Sequence, residues 1–444
     1  MTSVEPYGVQ REACLVGTFD ADGALVSNPM PRASFVFRIA GPLDPDRFTG
    51  ALRTCARRND VWRTRIRRTP DGDRLIQDAD RDTEPMTVTC ASTRDRDRLA
   101  ELLSATAYAP IDLKAGPLAA AVVVETAPDE HVLLIRADHA WWDGLSIGAF
   151  LHRALLCYAG GPVPDSGPGF GELAHAASVR DEERETARAF WADAMAEPVP
   201  PSRFPGGRAK RWPDVLATSV ARFTLDPQAM AAVTAARGAT GASRGRLLLA
   251  ALCFVTALWT DRPLPVLYAR GGRGDPRWQD VQGPLHEAVL AVGTGQPAPT
   301  LGAWAGAHAA ANAAAPPLRG QWLTDFGGVE ALRARRLFVL NQLPPALIQE
   351  SVVGGLRVTP DGGELRDLLR PPPDHRGVPP HNGLHLMVHW VGEVLSISAY
   401  TDPEVLPDPA PVIAAIRRFW LALAETPEIE PARFAETLRR AWPA

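Results

Sequence analysis

The sequence predicts an α+β fold in two lobes, and three observations carry that prediction. At 444 residues the chain exceeds one ordinary hydrophobic core and suits two or three domains or two large lobes. A strand followed by an Asp-Pro helix start occurs once in each half, at Asp44-Pro45 and at Asp226-Pro227. Strands also mix with helices without the regular βαβ alternation of a wound parallel sheet.

In chain order, Ala33 to Ile39 reads as a strand, Gly41-Pro42 as a turn, and Asp44-Pro45 opens a helix with Phe48, Leu52 and Cys55 on one face. Asp at the N-cap accepts from the orphan amides of the first turn, and Pro after it presets φ. Ala119 to Glu125 and His131 to Ala137 form a hairpin around Thr126 to Glu130, a turn holding Pro128 and Asp129. A loop from Asp138 to Gly144 follows. Ile147, Leu151, Leu155 and Tyr158 then recur at helical spacing until Gly160-Gly161-Pro162 stops the helix. Pro162 to Gly171 reads as a linker, and a charged helix from Val179 to Met195, with Trp191, crosses to the second lobe. The lobes are expected at residues 1–178 and 179–444.

The second lobe opens with a strand from Ser219 to Leu225 and the helix of Asp226-Pro227, with Met230 and Val233 inward. An apolar helix from Arg246 to Trp259, a strand from Pro265 to Ala269 and a turn at Gly271-Gly272 follow. Further strands are expected at Leu337 to Leu340, Leu384 to Trp390 and Val394 to Tyr400, and a last helix from Pro411 to Ala424. Gly295 to Pro317 and Leu369 to Pro380, rich in Pro, read as long loops.

Composition excludes several function classes. A net charge of -4 offers no electrostatic footprint for nucleic acid. The stretch Arg53, Arg57, Arg58, Arg63, Arg65, Arg67, Arg68 is basic, but Lys114 and Lys210 are the only lysines among 47 basic residues, so the arginines follow a chain-wide bias. Cys14, Cys55, Cys90, Cys157 and Cys253 are odd in number and scattered in apolar stretches, as expected of buried thiols in a reducing compartment. The N-terminus has no charged region followed by an apolar run. The longest apolar stretch, Leu247 to Trp259, is shorter than the ~20 residues of a bilayer span, so a cytoplasmic, membrane-free, monomeric protein is expected.

The chemistry sits in Asp138-His139-Ala140-Trp141-Trp142-Asp143-Gly144. This segment resembles the HHxxxDG motif of nonribosomal-peptide-synthetase condensation domains and the related chloramphenicol-acetyltransferase-like acyltransferases. Arg57 to Arg65 resembles that family's RHExLRT element, Ile111-Asp112-Leu113 with Gly116-Pro117-Leu118 its FDL and GPL elements, Phe190-Trp191 its YW, and Leu247 to Ala251 its LLAA helix. Together these cover nearly the whole chain in order.

The resemblance implies two chloramphenicol-acetyltransferase-like sandwich lobes meeting in a V as a pseudo-dimer, with a tunnel between them. It implies an acyltransferase that joins an acyl or aminoacyl thioester, carried on the phosphopantetheine of an acyl or peptidyl carrier protein, to a small-molecule amine or alcohol. No adenylation or carrier domain fits beside the lobes, so the carrier is expected in trans, with no bound cofactor or metal. His139 is the implied catalytic imidazole, suited to an amine that loses a proton as it attacks. Gly144 permits close backbone approach, and its amide is an oxyanion donor. Asp143 is implied to be structural, paired with Arg273 from the second lobe, with Arg270 as the alternative. Asp138, Trp141, Trp142 and Ser146 are candidates for substrate contact, the two tryptophans reading first as packing residues. Two departures stand out: Asp138 replaces the first motif His, and Gln282-Gly283-Pro284-Leu285-His286-Glu287 stands where the family has IGxFVN, with Glu287 for its Asn.

Rival readings are weaker. A family member with altered motifs can act as a scaffold that recruits partner enzymes to a carrier, but the intact His139, Asp143, Gly144 set argues against it. Gly144-Leu145-Ser146-Ile147-Gly148 matches the GxSxG elbow of α/β-hydrolases, yet a loop separates Ala137 from Ser146, where an elbow serine directly follows its strand. His375, His381, His385 and His389 crowd together without a recognised ligand register. Gly271-Gly272-Arg273-Gly274 lacks the GK[ST] of a phosphate loop.

Overall fold

The computed structural model describes residues 3–28, 32–70, 72–77, 84–162, 167–179, 182–199, 204–258, 265–293, 297–343, 350–361, 364–370, 382–391 and 394–442. The two Asp-Pro signals both start helices. Asp44 accepts from the amides of Asp46 and Arg47 at 3.0 and 3.1 Å at the head of Pro45–Arg58, and Asp226 from the amide of Ala229 at 2.9 Å at the head of Pro227–Thr240. Each helix packs beside a sheet that carries the strand preceding it.

The first sheet has the strand order Ser351–Val353, Leu356–Pro360, Arg32–Ala40, Glu130–Asp138, Ala119–Ala127, Met86–Ser92. Its central hairpin pairs Val123 with Leu133 and Ala119 with Ala137. Helices Pro45–Arg58 and Gly144–Tyr158 share a core with one face, through Phe48, Leu52, Phe37, Ile135, Phe150 and Leu151. Leu99 and Leu103 of the helix Arg96–Tyr108 cover Val122, Val124, Val132 and Leu134 on the other face. A sheet buried on both faces explains why Val122 to Val124 and Val132 to Ile135 are continuous apolar runs.

The second sheet has the order Ser219–Leu225, Val394–Thr401, Leu384–Val391, Phe338–Gln342, Val266–Arg270, Glu287–Leu290. Its core joins Leu247 to Leu252 of the helix Arg244–Thr256 to Phe338, Leu386, Ile397, Phe419 and Trp420. A third cluster, Val9, Trp191, Leu267, Leu290, Leu318, Trp322 and Leu332, brings the N-terminal helix Val9–Val16 against second-lobe residues.

Three expectations are corrected. A division at residue 178 does not separate the sheets, because Leu356–Pro360 returns to the first lobe and pairs Val358 with Ile39. This return covers Arg32–Ala40, which would otherwise leave a row of unpaired backbone groups. The stretch 295–317 is not one long loop: Thr300 accepts from the amide of Ala303 at 3.1 Å and starts the helix Leu301–Ala314. Its alanine-rich sequence has high helix propensity, which the flanking prolines disguised. The linker into the second lobe contains a short helix, Phe170–Ser178, before the crossover helix Glu182–Ala194. Most of the loop expected at Leu369 to Pro380 lies outside the described residues.

Candidate active site

The strand Glu130–Asp138 is buried along nearly its whole length and delivers the motif to the sheet's end. There Asp138 closes a turn: its backbone carbonyl accepts from the amide of Trp141 at 3.0 Å, and its carboxylate accepts from the amide of Ala140 at 2.9 Å and from Asn28 Nδ2 at 3.1 Å. The carboxylate replacing the first motif His is therefore a turn cap, 4% exposed. Trp141 and Trp142 are both fully buried. Trp141 Nε1 donates to the carbonyl of Thr64 at 2.9 Å, and Trp142 stands edge-on to Trp62 and Phe150, with ring centroids at 4.4 and 5.2 Å. These fully buried rings pack the loop against the first lobe's core.

Asp143 is the N-cap of the helix Gly144–Tyr158, accepting from the amide of Ser146 at 2.8 Å. The same carboxylate takes both guanidinium nitrogens of Arg273, at 2.8 and 3.0 Å, and the amides of Leu285 and His286, at 2.9 and 3.0 Å. Burial by itself would raise its pKa, but the charge and hydrogen bonds of Arg273 outweigh it and hold the carboxyl below the ordinary range. The pair thus joins the first lobe's motif to the second lobe's loop 281–286. Arg270, the alternative partner, is taken by Glu287 at 2.6 Å, and it also donates to the carbonyls of Ala315 and Pro316. Glu287 in turn accepts from the amide of Leu318 at 2.6 Å, so this carboxylate, like Asp138, is structural.

Ser146 is not a free nucleophile. Its hydroxyl donates to the carbonyl of Gly283 at 2.8 Å and accepts from the Gly283 amide and from Arg273, each at 2.9 Å, and the residue is 1% exposed. The elbow reading and the substrate-contact reading both fall on this.

His139 is treated differently from the rest of its loop. The residue is partly exposed, while its Nδ1 is buried with no hydrogen-bond partner among the described residues. Gly144, also partly exposed, is the first helical residue, where an amide has no acceptor within the helix. The helix dipole adds positive potential at this point.

One residue at the site escaped sequence reasoning. His286 puts its ring centroid 4.8 Å from that of His139, with the planes at 53°. Burial first, with electrostatic contributions from His139, Arg273 and Arg336, pushes its pKa down to about 3 against the opposing pull of Asp143. The signal available in the sequence was a histidine two residues after Gly283-Pro284, in the segment expected to meet Arg273.

The remaining candidates are not brought to this site as a group. His385 lies against Tyr400, and His375 and His381 lie outside the described residues. Among the described residues no group of three or more His, Cys, Asp or Glu side chains could hold a metal ion, and no helix is long and apolar enough to cross a membrane. Cys90 is exposed, against the expectation that the thiols are buried, because it lies on the edge strand Met86–Ser92.

The two-lobed α+β architecture is that of condensation domains. The condensation domain of the monacolin K polyketide synthase MokA superposes with a TM-score of 0.74 at 16% identity, over 97% of this chain and 99% of that one. The starter condensation domain of rhizomide synthetase RzmA, in a variant complexed with C8-CoA, gives 0.68 at 19% identity, over 97% and 95%. At these identities the likeness shows the fold alone. The family follows from sequence: residues 32–283, more than half of the chain, match the condensation domain model, and the chain belongs to that family. Bacitracin synthase 3 of Bacillus licheniformis is 24% identical over 255 residues, which are 57% of this chain and 4% of the synthase. The chain therefore spans only a small fraction of that relative's length.

Proposed function

We propose that the chain catalyses acyl transfer from a carrier-bound thioester to an amine or hydroxyl acceptor, in a passage between the two lobes. The observation that carries this reading is the contrast within one short loop: Asp143 is spent on five hydrogen bonds, while the His139 ring remains partly exposed, its buried Nδ1 bound to no partner among the described residues. A neutral imidazole there accepts the proton of the attacking amine or hydroxyl as the new bond to the thioester carbon forms. The amide of Gly144, at the positive end of its helix, donates to the oxygen of the tetrahedral species. Collapse of that species breaks the carbon–sulfur bond, releases the carrier thiol and leaves the amide or ester. No enzyme nucleophile takes part, in keeping with the engaged hydroxyl of Ser146.

The turn-capping role of Asp138 supports a working site over a scaffold, since the departure from the motif removes nothing from the side of the loop that carries His139. The test is to incubate the protein with acyl-N-acetylcysteamine thioesters and with acyl groups loaded on a holo carrier protein, against panels of amines and alcohols, and to weigh the products by mass spectrometry. Product formation that is lost in His139→Ala supports the reading. Carrier binding without turnover for every donor overturns it in favour of the scaffold.

A further inference from the structure

The second-lobe loop 281–286 grips the first lobe twice. Its backbone amides at Leu285 and His286 bind Asp143, at 2.9 and 3.0 Å, and the His286 ring then rests on the ring of His139, centroid to centroid 4.8 Å. His286 also meets Trp322 edge-on, at 5.6 Å and 83°. Trp322 is itself immobilised, because its indole N–H donates at 3.0 Å to Glu12, a buried carboxylate paired with Arg336. The His286 ring thus contacts both a held tryptophan and the partly exposed motif histidine.

We propose that His286 is a positioning residue for His139, fixing from the opposite lobe the orientation in which that imidazole meets the reactants. Its Nδ1 is buried without a hydrogen-bond partner among the described residues, as is that of His139, a cost that an aliphatic side chain of similar volume would avoid. An imidazole retained at such a cost, against the open motif histidine, is not a filler. The titratable and charged groups around it are His139, Asp143, Arg273 and Arg336, and in this setting it stays neutral, so it presses on His139 without charge repulsion. The residue also ties the geometry of the lobe junction to the geometry of the site, since the backbone that binds Asp143 is the backbone that carries the ring.

This inference rests on the acyl-transfer reading, and the experiment separates the two. With the thioester and amine pair that the wild-type protein turns over, His286→Leu is expected to lower kcat about 10²-fold, the scale of a misplaced catalytic group, with KM within about threefold of wild type. His286→Gln, polar and neutral, is expected to recover about tenfold of that loss. Wild-type kcat in His286→Leu, or a loss that His286→Gln does not recover, overturns the proposal. A second arm needs no turnover: in full-length protein with 15N-labelled histidine, the ring resonances of His139, assigned from His139→Ala, are expected to shift and broaden in His286→Leu. Unchanged resonances overturn the proposal even if no donor is ever turned over, whereas absent wild-type turnover with altered resonances sinks only the acyl-transfer reading. If His286→Leu does not fold, His286→Asn, too short to reach the His139 ring, takes its place in both arms with the same expected outcomes.

Discussion

The carboxylate of Asp143 and the guanidinium of Arg273 meet in a two-pronged contact across the lobe junction, at 2.8 and 3.0 Å, with side chains only 2% and 10% exposed. A planar fork on a carboxylate is the geometry for which Arg exceeds Lys. Removing one partner leaves the other charge buried without compensation, so Asp143→Ala and Arg273→Ala are each expected to cost about 3–5 kcal/mol. Urea denaturation of both single variants and the double variant checks this. The double variant should lose less than the sum of the singles, and strictly additive losses would show that the pair is not coupled.

His139→Ala is expected to behave in the opposite way. The side chain is partly exposed and makes no hydrogen bond at Nδ1, so its removal should leave the melting temperature within a few degrees of wild type. Turnover should fall by ~10²- to 10⁴-fold, the range for a lost general base. A variant that unfolds while its residual folded fraction keeps full activity would reverse the assignment of the two roles.

Ser146 gives a sharp test of the hydrolase alternative. Three hydrogen bonds use its hydroxyl, to Gly283 twice and to Arg273 once. Ser146→Ala strands the buried amide of Gly283, at about 1–3 kcal/mol, while the Gly283 carbonyl keeps the amide of Leu285 at 3.0 Å. The expected phenotype is reduced stability with activity retained in the folded protein. A fluorophosphonate probe should label neither form, and stoichiometric labelling that disappears in Ser146→Ala would restore the nucleophile reading.

What was legible in the sequence was local. Asp44-Pro45 and Asp226-Pro227 start helices through bonds to residues two or three positions away, and the hairpin of residues 119–138 closes over a short turn. The family motif brought His139, Asp143 and Arg273 into one hypothesis because their order along the chain carries the resemblance. What escaped is non-local. Leu356–Pro360 pairs with a strand more than 300 positions earlier, and its register is set by an open sheet edge that no nearby residue announces. His286 looked like a plain departure from the family's pattern, because its meaning depends on its contacts with Trp322 and His139. Asp138 and Glu287 stood out in sequence as departures from the family's motifs, and each turns out to satisfy a backbone amide.

Buried neutral histidines make stability fall with acidity before any carboxylate is protonated. His286 has its pKa pushed down to about 3, and His308 and His385 to about 4, in each case chiefly by burial. Once unfolded, each would take up a proton near pH ~6.5, so below that pH the unfolded state binds more protons than the folded one. The sign is therefore a loss of stability as pH falls from about 6.5 toward the folded pKa values, at about 1.4 kcal/mol per pH unit for each histidine that remains neutral. Asp143 acts in a lower window: its folded pKa lies below the unfolded value of ~3.9, so its contribution is complete above that pH and is lost only as pH falls through the folded value. Urea unfolding at several pH values between about 5 and 7.5 should show the histidine slope, and His286→Gln should reduce it by one proton's worth. A His286→Gln variant with the wild-type slope would mean that His286 already carries a proton in the folded protein.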